Sequence, residues 1–424
     1  MTDWETIDFF SDESLVQDPY PYFDQLRSTC PVLPLPHRGV VAVTGYDDAS
    51  EVYRDIDTFS SCNSVVGPFA TFPVPLEGDD VSDIVDRYRD QLPMHEHMVT
   101  MDPPAHTRER ALLMRLITPK RLKDNEAFMW RLADRQLDEL IAGGHGEFIS
   151  SYAQPFAMLV VADLLGVPET EHEEFREGFG LSLSPGKIGA GEKGTPGTNP
   201  LAWLDEWFGR YIEERRREPR KDVLTDLALA TYPDGSTPDV ISVVRTATFL
   251  FAAGQETTAR LLASALRYLA ENPDLQDQLR ELHELIPNFV EEMLRIESPV
   301  KADFRLARRT TTVGGVDIAA GAPVVLMNGA ANRDPRQFER PAECRIDRPN
   351  AQAHIAFGRG PHSCPGGPLA RAEGRISLER ILDRMADIRI SEEHHGPPAA
   401  RVFRYEPTWV LRGLSELHIE FTPI

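Results

Sequence analysis

Cysteine is scarce in this chain. Cys30, Cys62, Cys344 and Cys364 are the four in 424 residues, and no two stand in a CxxC pair. That excludes a disulfide framework and a four-thiolate zinc or iron–sulfur centre, and it points to a reducing cytoplasm. Positive charge is also in deficit: 45 Lys and Arg face 67 Asp and Glu, for a formal net charge of −22. An acidic surface of that size argues against nucleic acid as a general partner. No apolar run of about 18 residues occurs, so no helix is expected to span a membrane. The start, Met1-Thr2-Asp3-Trp4-Glu5, lacks the basic and apolar blocks of a secretory signal. Internal repeats and a clear linker are missing, and a single domain over 1–424 is expected. Gly143-Gly144-His145-Gly146 does not fit GxGxxG, so no dinucleotide site is indicated. The close histidine pairs, His95 with His97 and His394 with His395, do not form HExxH, which argues against a zinc enzyme.

What the chain does have is one unusual setting for a thiol. Cys364 stands in Phe357-Gly358-Arg359-Gly360-Pro361-His362-Ser363-Cys364-Pro365-Gly366-Gly367-Pro368, a run that continues neither a helix nor a strand. A helical pattern follows, with Leu369, Ile376, Leu382 and Met385 among its apolar positions. The thiol therefore sits just before a helix N-terminus, where free N–H groups and the helix dipole favour thiolate. One thiolate on a rigid loop suits a metal whose other ligands come from elsewhere. Haem iron is such a metal, since the porphyrin supplies four positions.

Helical periodicity dominates, with short strand signals at Val40–Val43, Val324–Met327 and Leu417–Phe421. Regions 63–104, 184–200 and 393–400 lack strong periodicity, and the charged run Glu213–Lys221 reads as the solvated end of a helix. Thr237 as N-cap, Pro238 at the first helical position and the stop at Asn272-Pro273 predict a helix of about 50 Å. Its middle is apolar nearly all round, yet it holds Gly254-Gln255-Glu256-Thr257-Thr258. Glu256 and Arg260 at i and i+4 could form an ordinary ion pair, and Thr257 could bond the carbonyl one turn back. The alternative is a polar site inside a buried helix, and the residues alone leave both open.

The segment around Cys364 resembles the haem-binding loop of the cytochrome P-450 family, with Phe357, Gly360, His362, Cys364 and Gly366 in matching places. The family often has Arg where this chain has His362. Glu292-Met293-Leu294-Arg295 matches its ExxR sequence with Arg348 as third partner, and the resemblance runs from Asp18-Pro19-Tyr20-Pro21 to the Cys364 loop. It implies a mainly α fold with small β-sheets, the long helix over haem b (iron protoporphyrin IX) and the Cys-ligand loop beneath. It implies that Cys364 binds the iron, that Ala253 and Gly254 leave room for oxygen, and that Glu256 and Thr257 handle protons. His106, Arg110, Arg305 and His362 match propionate contacts, while Glu292, Arg295 and Arg348 match a buried structural network.

The implied activity is that of a bacterial, cytoplasmic, monomeric monooxygenase acting on a lipophilic small molecule with O2. Electrons must then come from separate proteins, by resemblance a ferredoxin and its reductase, with Arg108, Arg115 and Arg359 as docking candidates. By family position, substrate contacts come from the 63–104 loop, the 175–207 region, the long helix, 300–304 and 409–411. Phe69, Phe72, Phe249, Val300, Phe304 and Trp409 are the apolar candidates there, although core roles are the competing reading. A peroxide-dependent peroxygenase and a gas-sensing haem protein are the rival functions. The first is expected to lack the Glu256–Thr257 pair, and the second gives no product.

Overall fold

A computed structural model describes residues 4–174 and 201–424. The unpatterned stretch 184–200 and most of the 175–207 region lie outside those residues. The longest helix runs Val240–Glu271. Its N-cap is Asp239, whose carboxylate accepts the Ser242 N–H at 2.9 Å. The helix thus starts later than the Thr237 signal indicates, because Asp239 is the residue that satisfies an orphan N-terminal donor. Pro273, at the start of helix Pro273–Glu281, ends it as expected.

This helix packs against helices Gln154–Leu165, Ala202–Arg217, Ile286–Glu297 and Gly367–Arg384. Phe156, Phe208, Phe251 and Ile376 are buried in the shared core, each contributing about 1.5–3 kcal/mol. Gln154–Leu165 is buried on nearly all sides and stops at Gly166, whose φ of +84° suits a glycine cap. The charged run from Glu213 is not simply solvated. Arg215 is buried, donating from Nε to Asp222 at 2.7 Å and from Nη1 to Glu214 at 3.0 Å.

The sheets are small. A five-stranded sheet has the order Val32–Pro34, Val41–Val43, Pro323–Leu326, Asp303–Ala307, Phe59–Ser60, with only the Val41–Val43 to Pro323–Leu326 pairing parallel. A second sheet joins His145–Glu147, His418–Pro423 and Met385–Ile390. Met385 therefore opens a strand instead of closing the preceding helix, which ends at Arg384. Among the described residues no helix is long and apolar enough to cross a membrane.

Candidate functional site

The Cys364 loop is closed by a hydrogen bond from the Cys364 N–H to Phe357 O at 2.7 Å. Gly358 and Gly360 take φ of +62° and +68°, and a Cβ on Gly360 would lie 2.5 Å from Tyr53 O. Only glycine fits that approach. The helix Gly367–Arg384 begins three residues after the thiol. Burial raises the Cys364 pKa, while the Gly366 and Gly367 N–H groups, Arg110 and Arg371 lower it. The helix-end donors act in the expected direction, but burial outweighs them. The side chain is nonetheless accessible, so it lines an internal hollow.

The cations expected near the porphyrin rim converge beside this loop. His106 and His362 have ring centroids 3.8 Å apart. Both ring nitrogens of His106, and Nε2 of His362, are buried without a partner among the described residues. Burial, then the charge of Arg110, holds His106 down to about 4. Burial, then Arg305, His106 and Arg110, holds His362 down to about 2. Arg110 donates to Ser363 O at 2.6 Å, and Arg305 pairs with Asp303 at 3.2 Å.

On the long helix, Ala253 is exposed although its neighbours Phe251 and Ala252 are buried, so it too opens onto a hollow. Gly254 is partly accessible as well, and a Cβ there would meet Val161 Cγ2 at 3.1 Å, so its missing side chain also admits the neighbouring helix. Both local alternatives left open by the sequence occur. Arg260 pairs with Glu256, and Thr257 Oγ1 donates to Ala253 O at 3.0 Å. A hydroxyl so placed still accepts a proton from another donor.

The predicted network is complete. Glu292 accepts from Arg295 Nε at 2.6 Å and from Arg348 Nε at 2.9 Å, and all three side chains are enclosed. Burial raises the Glu292 pKa, but Arg295, the Arg345 N–H and Arg348 more than reverse it.

The six apolar candidates do not form one wall. Phe69, Phe304 and Trp409 cluster with Phe10, and Val300 packs on the same core. Phe304 has no accessible surface, so it supports the site from the core instead of lining it. Phe72 belongs to another cluster with Cys62 and Leu306. Phe249 lies 5.9 Å from the His97 ring. The docking candidates are tied within the chain. Arg108 stacks 3.7 Å over Tyr232, Arg115 donates to Thr231 O at 2.7 Å, and Arg359 to Ala353 O at 2.7 Å.

Sequence reasoning missed several charged groups. Glu291 binds Arg371 and His354, which overcome burial and hold its carboxyl down to about 2. Glu373 is buried, accepts Thr258 Oγ1 at 3.2 Å as its one partner among the described residues, and has its pKa raised well above the usual value by burial. Lys301 is buried without a counterion among the described residues. A charged residue at a core-facing helical or strand position was the available signal for all three.

The residues present fit a haem. A thiol opens onto the hollow, and unspent imidazole nitrogens and two guanidiniums stand beside it for carboxylates. The Cytochrome P450 family model matches residues 204–386. Cytochrome P450 144 of Mycobacterium tuberculosis is 35% identical over 405 residues, covering 94% of this chain and 89% of that protein. The solved structure of Mycobacterium marinum cytochrome P450 CYP150A6, in the substrate-free form, aligns at TM-score 0.93 with 62% identity, over 99% of this chain and 100% of that one. CYP109E1 from Bacillus megaterium, in complex with testosterone, aligns at TM-score 0.78 with 29% identity, over 95% and 99% of the two chains. A likeness this continuous settles the lineage: the chain belongs to the cytochrome P450 family and is a haem monooxygenase.

Proposed function

We propose that the chain, as one cytoplasmic monomeric domain over 1–424, oxidises a lipophilic small molecule with O2 and electrons from a ferredoxin and its reductase. The observation that carries the site is the close, tilted His106–His362 pair, with unspent nitrogens, next to the Cys364 loop. Haem b supplies oxygen activation when bound. Cys364 is the residue for its iron, and His106, Arg110, Arg305 and His362 hold its carboxylates. Buried, neutral imidazoles donate from one nitrogen each, and the guanidiniums supply the positive charge.

Thr257 and Glu256 manage protons. The Thr257 hydroxyl donates to Ala253 O and accepts from water, while Glu256, half-buried and held by Arg260, connects the helix to solvent. Apolar Phe69, Val300, Phe249 and Trp409 line or back a lipophilic guest. The steroid held by the CYP109E1 relative supports that class, which also includes terpenoids, fatty acids and polyketides. The sheet that joins strands from residues 32–43 to strands from 303–326 supports a single domain.

The test is Cys364→Ser. Its reduced carbon monoxide spectrum should lose the thiolate signature seen in wild type, and an unaltered spectrum would remove Cys364 from the iron. Thr257→Ala should consume electrons at an undiminished rate while product per electron falls about tenfold or more. Unchanged coupling takes Thr257 out of the mechanism.

A further inference from the structure

Lys301 is 3% exposed and lies in an extended stretch leading from the Val300–Leu411 bridge into strand Asp303–Ala307. Side chains alternate along such a stretch. Ala302 and Phe304 enter the apolar core, while Lys301, Asp303 and Arg305 share the other face. Asp303 is engaged by Arg305 at 3.2 Å. The charges that act on Lys301 are Arg412 and Arg260, both cations. Among the described residues the Lys301 ammonium has no carboxylate partner. Burial, then those two charges, lowers its pKa to about 7.

The neighbouring charges do not balance. Glu297 is shared by Arg412 at 3.2 Å and Arg267 at 3.1 Å. Glu256 is engaged by Arg260 through Nη2 alone. Arg260 Nε and Nη1 remain buried and unpartnered among the described residues. The Arg260 side chain occupies the space a Cβ on Gly413 would need, within 2.4 Å of its Cγ, so the C-terminal segment is shaped around this guanidinium. An uncompensated buried ammonium beside an incompletely bonded guanidinium is costly, and an anion relieves both.

We propose that Lys301 and Arg260 hold an anionic end of the substrate, so that the lipophilic molecule oxidised here carries a carboxylate or a similar compact anion. This rests on the lipophilic-substrate reading above. The Arg260 fork and the Lys301 ammonium together offer a carboxylate more donors than it has oxygens. Arg260 lies one helical turn past Glu256, so the apolar body is left for the hollow onto which Ala253 opens.

Haem-loaded full-length protein is titrated by calorimetry with dodecanoate and with dodecanol. Wild type should bind the acid about tenfold to a hundredfold more tightly. Lys301→Met should erase that gap and leave dodecanol binding unchanged, and Lys301→Gln should do the same if the first variant folds poorly. Equal affinities in wild type, binding of neither compound, or a gap that survives both substitutions overturns the anchor. Sodium phosphate is the free-anion arm. Phosphate binding that depends on Lys301, with no acid–alcohol gap, assigns the cations to an inorganic ion and also overturns it. The two readings fail separately: protein that takes up no haem contradicts the monooxygenase site, whereas equal binding by haem-loaded protein contradicts only the anion anchor.

Discussion

Around Glu292 every charge has its partner. Arg295 donates to Glu292, to Asn332 O at 3.1 Å, to Pro341 O at 2.7 Å and to Glu343 O at 2.9 Å. Arg348 adds Glu292 and Glu339 O at 2.7 Å. Elsewhere in the interior the opposite holds. His106, Lys301, Arg260, Glu373 and the Nε2 atom of His362 are buried with donors or acceptors to spare. Low dielectric makes a completed polar network rigid and an incomplete one expensive. The chain closes its own circuits where it needs a frame and leaves them open where a guest is to close them.

The sharpest way to break this contrast is at Glu292. Glu292→Ala strands two guanidiniums in the interior and should cost about 3–5 kcal/mol, read as a fall in the denaturation midpoint or as failure to fold. Replacing Arg295 or Arg348 instead should couple strongly with it in a double-mutant cycle. Independent, additive losses would mean that the trio is not one unit.

Glu291 offers a pH-resolved version. Its carboxyl is held down to about 2 in the folded state, against an ordinary 4.5. Stability from that shift is fully present above 4.5 and is lost as pH falls toward 2. Glu291→Gln should therefore destabilise at neutral pH by about 1–3 kcal/mol and approach wild type under acid conditions. A deficit constant with pH would place the loss in packing and not in charge.

Much of the frame was legible because its signals are local. The glycines and prolines around Cys364, the Pro273 stop of the long helix, and the ExxR spacing each leave a mark within a few residues. The rest depends on what faces what. Gly254 reads as space for a cofactor, and only the fold shows that its missing side chain also admits Val161. Phe304 alternates toward the core, and strand Asp303–Ala307 itself was overlooked because its charged face breaks the apolar run. Arg215 was hidden inside a charged run that only tertiary contact with Asp222 makes partly internal.

Glu373 is where the comparison becomes quantitative with the smallest perturbation. It sits on the helix after Cys364 and meets Thr258, next to Thr257, across the core. Among the described residues no cation opposes burial there, so its carboxyl stays protonated well above the usual 4.5. A folded pKa raised in this way gives stability that is complete below about 4.5 and is lost as pH climbs to the folded value. That sign is the reverse of Glu291. Glu373→Gln keeps a neutral group with an acceptor for Thr258, and should cost under about 1 kcal/mol at low pH. As pH rises, wild type must either hold a proton against solvent or bury a bare carboxylate, while the variant does neither. The stability difference should therefore shrink and then invert in favour of Glu373→Gln. Urea midpoints for both proteins across that range check it. Parallel curves would show that Glu373 is ionised in the fold, and its environment would then have to contain a counter-charge that the open-circuit reading denies.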